Sequence, residues 1–246
     1  MSGWKAKRFW QQASVVAEGD GYAVRLDGRA VKTPAKAPLI LPTLALAQAV
    51  AAEWDAQTGE IKPDSMPVTR SANAANDKVA VQFDEVAALI AAYGETDLLC
   101  YRANGPAALV QRQSAAWDPV LDWAANDLAA PLLTGTGVVF VAQPPDSVAR
   151  LTAFVRGFDC FRLTALHDLV AISGSLVLGL AVAHGRLTPA QAWDASRVDE
   201  RWQIDQWGGD DEAEQAEAFR RVGFEHAARF LSLCDPACAG DATAAG

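Results

Sequence analysis

Strand-like patterns are concentrated in the first 42 residues of this chain of 246, and almost everything after them except 138–142 is helical in pattern. The alternating segments are 13–18, 22–26 and 29–33, followed by a short proline-bracketed segment at 38–42. The pair Asp27-Gly28 between two alternating segments is a strong β-hairpin signal, and the prolines restrict 38–42 to an edge strand. A sheet of this size is not stable alone in water, so helices must pack against it.

Helical periodicity begins at Thr43 and recurs to the end of the chain. The first predicted helix, 43–57, has apolar residues at helical spacing and ends before Gly59. Later helical patterns lie at 71–81, 84–93, 106–116, 118–130, 146–158, 163–183, 188–207 and 218–233. One isolated strand pattern, 138–142, must pair with the N-terminal sheet, because no other sheet is predicted.

We therefore predict an α+β fold in which a small N-terminal antiparallel β/α domain is intertwined with a larger C-terminal orthogonal α-helical bundle. The first domain is predicted at 1–75, with strand 138–142 joining its sheet, and the bundle at 76–234. The small, polar residues 235–246 are predicted to be a disordered tail. We expect the free protein to be a monomer.

The formal charge of −9 is distributed unevenly along the chain. Residues 1–70 hold nine basic and seven acidic residues, whereas the remaining residues hold 12 basic and 23 acidic ones. A nucleic-acid partner is not expected, because no basic stripe is present to displace counterions from phosphates. Any electrostatic selectivity should therefore reside in the C-terminal part.

The cysteines and the apolar segments indicate a compartment without disulfide formation and a fold without a membrane span. Four scattered cysteines do not make a disulfide framework, and no secretory signal is predicted at the N-terminus. We therefore expect a reducing compartment, the bacterial cytoplasm. The uncharged segment 169–185 is near the lower length limit for a span, but its small residues favour a central helix of a soluble bundle.

The stretch 196–214 (S-R-V-D-E-R-W-Q-I-D-Q-W-G-G-D-D-E-A-E) joins an embedded carboxylate to an acidic run. In a continuous helix over 188–207, Glu200 falls on one stripe with apolar side chains, namely Trp193, Ile204 and Trp207. A carboxylate there needs a partner. Two interpretations stay open: a structural ion pair with Arg197 at (i, i+3), or a carboxylate at a surface that meets another protein.

The acidic run also has two explanations. Five acidic residues occupy positions 210–217, ahead of the predicted helix 218–233. Acidic side chains in a first helical turn interact favourably with the helix dipole, which is a structural reason for them. They can also face a basic partner.

Motifs for catalysis, cofactors and metals are missing from the sequence. Gly135-Thr136-Gly137 lacks the third glycine of a dinucleotide fingerprint, and Ser173 does not lie in a G-x-S-x-G elbow. We therefore expect no cofactor and no metal. The alternative to a binding protein is a small-molecule hydrolase or transferase that uses Glu200 as general base in a tryptophan-lined pocket formed by Trp193, Trp202 and Trp207.

Seven motifs occur in a specific order along the chain. They are R-F-W at 8–10, L-D-G-R-A-V-K-T-P-A at 26–35, E-W-D-A-Q at 53–57, I-K-P-D-S-M-P-V-T at 61–69, T-D-L-L-C-Y-R-A at 96–103, W-D-P-V-L-D-W at 117–123 and S-R-V-D-E-R-W-Q-I-D-Q-W-G at 196–208. Together they resemble the ATP synthase assembly chaperone family that acts on the alpha subunit of the catalytic head, over residues 8–233.

The resemblance implies a non-enzymatic chaperone that binds the free alpha subunit and covers its beta-facing surface until assembly. It implies a cytoplasmic protein in bacteria and a mitochondrial matrix protein among eukaryotic relatives. The family motif reads roughly L-E-E-x-x-Q-I-x-x-W-G, and Val198 and Asp199 replace its Leu and first Glu here. The residues expected to bind the partner are Glu200, Asp205, Asp199, Gln203, Asp211 and Glu212. The residues expected to be structural are Trp54, Arg197, Trp207 and Gly208.

Overall fold

The computed structural model describes residues 7–236. The predicted disordered tail, 235–246, lies outside the described residues from 237 onward. Within the described part, the chain divides into two compact units. One unit contains the chain up to Phe83, Cys160–Thr164 and the residues from Arg229 onward, and the other contains Asp84–Asp159 and Ala165–Ala228. The first unit therefore assembles segments that are distant in sequence.

The first unit contains a four-stranded antiparallel sheet. Its strands are β1 (Ala13–Glu18), β2 (Gly21–Leu26), β3 (Arg29–Ala30) and β4 (Ile40–Leu41). The central strand is β2, which pairs with β1 on one edge and with β3 and β4 on the other. Asp27 and Gly28 both have positive φ (47° and 83°), as a two-residue hairpin turn requires. The predicted hairpin is therefore present, and 38–42 contributes only a short edge strand.

Ten α-helices follow within the described residues. They are α1 (Leu44–Asp55), α2 (Pro67–Ala74), α3 (Phe83–Ala92), α4 (Ala107–Asp127), α5 (Pro145–Arg156), α6 (Cys160–Ser173), α7 (Leu176–Ala183), α8 (Pro189–Ser196), α9 (Val198–Trp207) and α10 (Asp211–Leu233). Helix α1 covers the sheet through contacts with β1 and β2, and its Leu46, Ala47 and Val50 are fully buried. A small antiparallel sheet near the N-terminus and a larger helical region confirm the predicted α+β class.

The apolar segment 169–185 does not form one central helix. Gly174 has φ 75°, which ends α6, and the Ser175 hydroxyl accepts a hydrogen bond from the Leu178 N–H at the start of α7. Helix α7 is almost entirely buried, with residues 176–181 inside the second unit. Within residues 7–236, no helix is both long and apolar enough to cross a membrane.

The prediction of a strand at 138–142 that joins the N-terminal sheet is wrong. The nearby strand, β6, is Gly135–Thr136, and it pairs in parallel with β5 (Tyr101–Arg102) in a separate sheet. After Gly137, which has φ 81°, the chain continues as a loop. The Gln143 amide closes this loop, accepting from the Leu133 N–H at 2.8 Å and donating to the Leu133 carbonyl at 3.0 Å. Segment 138–142 therefore has the residue pattern of a β-strand but lies in an exposed loop.

Candidate functional site

The helix predicted over 188–207 is divided at Arg197 into α8 and α9. Helix α8 begins with a capping box in which Thr188 and Gln191 bond reciprocally, as its sequence suggests. Arg197 has φ −114° and ψ 18°, which is not helical, so α9 starts in a new direction. The predicted single stripe therefore does not exist: Trp193 is 1% exposed, whereas Trp207 is 78% exposed.

The guanidinium group of Arg197 is buried, and each of its three nitrogens donates a hydrogen bond. It donates to the Ile172 carbonyl at 3.1 Å, to the Ser196 hydroxyl at 3.1 Å and to Glu200 Oε1 at 2.9 Å. It also lies 5.0 Å from the centre of the Trp193 ring. Burial lowers the pKa of Arg197, and the nearby Glu200 carboxylate opposes that effect. The ion pair anticipated for Arg197 and Glu200 is thus present.

The two members of this pair differ in their access to solvent. The Arg197 side chain is 7% exposed, but the Glu200 side chain is 46% exposed. A buried cation needs a partner more than a half-exposed carboxylate does, because water can still solvate the carboxylate. Glu200 therefore neutralises Arg197 with one side of its carboxylate while the side chain remains accessible to a second molecule.

One face of α9 is attached to α4. Asp199 accepts a hydrogen bond from the buried Gln113 amide at 2.7 Å, and Asp205 forms an ion pair with Arg112 at 2.6 Å. The Arg112 guanidinium also lies 4.8 Å from the centre of the Trp202 ring. Asp199 and Asp205 therefore have partners within the chain, and both help to hold α9 against α4.

The opposite face of α9 carries the other predicted residues. Since successive helical residues turn by about 100°, Glu200 shares its stripe with Gln203, Ile204 and Trp207, and Asp205 lies about 140° away. Gln203 is exposed, Ile204 is 37% exposed, and none of the residues of α9 is fully buried. The two leading candidates, Glu200 and Asp205, therefore occupy opposite faces of one helix.

An acidic surface continues from α9 into α10. We call residues 203–219 the acidic segment, because it contains six acidic residues and no basic one: Asp205, Asp210, Asp211, Glu212, Glu214 and Glu217. Every residue from 203 to 216 is exposed. The Asp210 carboxylate caps α10 by accepting from the Glu212 N–H at 2.9 Å. The acidic run therefore does stabilise a helix start, yet most of its carboxylates lie free in solvent.

The residues predicted to be structural have different environments. Gly208 has φ 88°, a conformation that favours glycine, and it ends α9. Trp54 packs edge-on against Trp10 at 5.3 Å, within the first unit. Trp207 is exposed, so it does not pack in a core as predicted for a structural residue. It shares a stripe with Ile204 within α9, but the buried Trp193 lies in α8 and does not continue that stripe.

Sequence reasoning missed two groups of residues in this region. Arg112 and Gln113 on α4 hold α9 in place, and no local pattern links positions 86 to 93 residues apart. Phe219 and Val222 on α10 are 81% and 65% exposed. The helical periodicity of the sequence could have identified Phe219 and Val222. These two residues lie on a different face of the helix from the buried Phe224, Ala227 and Leu231.

The arrangement does not provide a catalytic centre at Glu200. Trp193 is buried against Phe224 at 5.7 Å and Trp207 faces solvent, so these rings do not line a common pocket. A cleft beside Trp123 and His184 is not lined by Glu200. Within residues 7–236, no group of three or more His, Cys, Asp or Glu residues could hold a metal ion.

Comparison with known proteins identifies the family. The family model described as ATP12 chaperone protein matches residues 7–125. The chain is 22% identical over 221 residues to the mitochondrial protein atp12 of Schizosaccharomyces pombe, covering 85% of this chain and 76% of that protein. It is similar to the crystal structure of Atp12 from Paracoccus denitrificans, with 51% identity and a TM-score of 0.92 over 95% of this chain and 100% of that chain.

A point mutant of P. denitrificans Atp12p is similar to the same extent, with 50% identity, a TM-score of 0.93 and equal coverage. These relatives are assembly chaperones and not enzymes, so the hydrolase or transferase alternative is wrong. The exposed acidic helical surface of α9 and α10 is consistent with a protein that acts by binding. The chain belongs to the ATP12 chaperone family, and it is a chaperone of ATP synthase assembly.

Proposed function

We propose that the chain binds the free alpha subunit of the ATP synthase catalytic head and covers the surface that the beta subunit later occupies. The ordered sequence motifs support this choice of subunit. The structural observation that carries the proposal is the acidic segment 203–219, which is largely exposed and contains six acidic residues and no basic one. In this proposal the chaperone acts as a monomer in the bacterial cytoplasm.

The acidic segment and the free side of Glu200 form the proposed contact with alpha. A surface of one charge attracts a surface of the opposite charge and suppresses wrong partners, while apolar contacts set much of the affinity. The alpha surface should therefore carry Lys or Arg side chains. Asp199 and Asp205 would contribute mainly by holding α9 against α4, because each already has a partner there.

Isolated alpha subunit provides the direct test. Tagged chaperone is mixed with purified alpha, beta or gamma subunit, and each mixture is separated by affinity capture. We expect a complex with alpha only. Capture of beta without alpha, or of neither subunit, would show that the assignment of alpha is wrong.

Glu200→Lys should weaken alpha binding, because it reverses a charge that is paired with Arg197 and is also half exposed to solvent. Asp20→Lys makes the same charge change in the exposed turn between β1 and β2 and serves as the matched control. Circular dichroism must show that both variants are folded. Equal affinity of both variants for alpha would remove Glu200 from the contact surface.

The proposed shielding has a separate test. Purified beta subunit is added to the preformed chaperone–alpha complex, and the released chaperone is measured by size-exclusion chromatography. We expect release as the alpha–beta contact forms. A stable ternary complex would show that the chaperone binds alpha at a different surface.

A further inference from the structure

The exposed side of α10 carries two large apolar residues next to the acidic segment. Phe219 is 81% exposed and Val222 is 65% exposed, and they lie three positions apart on one helix face. Glu212 and Gln215 precede Phe219 by seven and four residues, so they fall on the same face. We call these four residues, Glu212, Gln215, Phe219 and Val222, the outer stripe of α10.

The outer stripe points away from the packed side of the helix. Phe224 is fully buried and packs on Trp193 at 5.7 Å, and Gly223 approaches the Ile172 side chain. Phe224 is about 140° around the helix from Phe219 and about 160° from Val222. The two exposed apolar residues therefore do not belong to the core that α10 forms with the rest of the second unit.

We propose that the outer stripe is the apolar part of the alpha-binding surface, and that it receives a segment of the alpha subunit with apolar side chains about one helical turn from a Lys or Arg. This inference rests on the proposed function. Charge selects the occupant: Glu212 lies on the stripe and Asp211 beside it, and residues 203–219 contain no basic residue. Arg220 and Arg221 follow Phe219, and the Arg221 guanidinium is paired with Glu225 at 2.8 Å. A second copy of this acidic chain would place like charges opposite each other.

The stripe and the acidic segment complement each other physically. Two apolar side chains alone bury too little area for a stable interface, which needs about 800 Å² from each partner. In protein interfaces, a few large side chains, often aromatic and surrounded by polar residues, contribute most of the binding free energy. Phe219 should therefore contribute more to the affinity than any single carboxylate, whereas the carboxylates should determine which partner is accepted.

The double variant Phe219→Ala/Val222→Ala tests the inference. Alanine has a higher helix propensity than phenylalanine or valine, so the substitution preserves α10 and removes only the apolar side chains. The matched control is Val81→Ala/Leu89→Ala, which removes two other exposed apolar side chains (76% and 58% exposed). The probe is isolated alpha subunit, and its Kd is measured at two salt concentrations.

We expect the Phe219/Val222 variant to raise the Kd for alpha by about tenfold or more, with a similar factor at both salt concentrations, because the lost contact is apolar. The control variant should bind like the unchanged protein. A Kd within twofold of the unchanged protein for Phe219→Ala/Val222→Ala would overturn the inference.

Two other results have distinct meanings. If Glu200→Lys weakens alpha binding but the Phe219/Val222 variant does not, the inference fails and the proposed function stands. If the unchanged chaperone does not bind alpha, the proposed function fails as well. Sedimentation of the free proteins provides a further check, because loss of a dimer in the Phe219/Val222 variant would identify a second copy as the occupant and overturn the inference.

Discussion

Arg197 and Glu200 form one ion pair in which the two residues have different roles. Arg197 is held by three hydrogen-bond acceptors and the Trp193 ring in a buried position, whereas half of the Glu200 side chain remains in solvent. Lysine cannot reproduce the planar, forked donor geometry of arginine. Arg197 therefore fixes the junction of α8 and α9, whereas the Glu200 carboxylate is available to a partner at the surface.

We expect Arg197→Lys to lower the free energy of unfolding by about 2 kcal/mol, because at least one buried acceptor loses its donor. Glu200→Gln should lower it by about 1 kcal/mol, since glutamine still accepts from Arg197 but no longer neutralises its buried charge. Urea unfolding monitored by circular dichroism measures both values. Equal losses would mean that Glu200 is as structural as Arg197.

Asp97 is a second residue whose environment decides its chemistry. It is fully buried, and its two carboxylate oxygens accept from the Leu99 N–H at 3.0 Å and the Val177 N–H at 2.9 Å. Burial raises the pKa of Asp97 to about 6, although these hydrogen bonds act in the opposite direction. Desolvation therefore outweighs the hydrogen bonds, and the neutral form is favoured in the folded state more than in the unfolded chain.

This raised pKa predicts a pH-dependent stability. The contribution of Asp97 is fully present below the ordinary pKa of about 4 and is lost as the pH rises through about 6, by about 3 kcal/mol in total. The Asp97→Asn variant lacks this titrating carboxyl group but keeps all other titratable groups. Its unfolding free energy at each pH therefore serves as the reference. The unfolding free energy of the unchanged protein should exceed that of the variant by more at pH 4 than at pH 7. A gap that widens as the pH rises would show that the pKa of Asp97 is lowered.

At the scale of helices, breaks in the predicted elements depend on single residues. Gly174 adopts φ 75°, its N–H donates to the Val170 carbonyl at 2.8 Å, and its own carbonyl accepts from the Leu98 N–H at 3.2 Å. This backbone conformation ends α6 and turns the chain into α7. Pro119, by contrast, lies inside α4 without ending it.

Gly174→Ala should lower the free energy of unfolding by about 1 to 2 kcal/mol, because a Cβ atom is unfavourable at this φ. Gly174→Asn should cost less, since asparagine tolerates the left-handed region better than alanine. Thermal and urea unfolding of the two variants would establish the order. Equal or reversed losses would show that the conformation at Gly174 is not what ends α6.

At the scale of the whole molecule, hydrogen bonds from polar side chains connect the segments of the first unit. The Glu53 carboxylate accepts from the Val68 and Thr69 N–H groups at 2.8 and 2.7 Å and so caps α2. Arg8 donates to four backbone carbonyls: those of Trp10, Gln11, Asp55 and Gln57. Residues of the motifs R-F-W and E-W-D-A-Q are therefore accounted for by the fold, whereas those of the acidic segment are largely free of partners in the chain.

Hydrogen exchange should reflect this contrast. Helical turns with little tertiary packing are marginally stable, so the exposed first turns of α10, residues 211–216, should exchange fastest among the helical regions of α9 and α10 in the free chaperone. The amides around Phe224 should exchange slowly. Addition of the alpha subunit should slow exchange in 203–222 specifically. Unchanged exchange there, with protection elsewhere, would locate the binding surface outside α9 and α10.

Sequence alone determined the elements whose causes are local. The D-G hairpin, the start of α8 at Thr188, the α+β class and the acidic character of the C-terminal part follow from neighbouring residues, because turn conformation, capping and charge depend on short stretches of chain. The family resemblance likewise comes from ordered short motifs.

Only the tertiary structure decided which side of each helix is buried and which carboxylates remain free. The break at Arg197 divides the predicted helix into α8 and α9, and Trp193 of α8 is buried whereas Trp207 of α9 is exposed. Arg112 and Gln113 engage Asp205 and Asp199 across 93 and 86 residues of sequence. Contacts over such distances depend on how helices pack, and local patterns do not encode that packing.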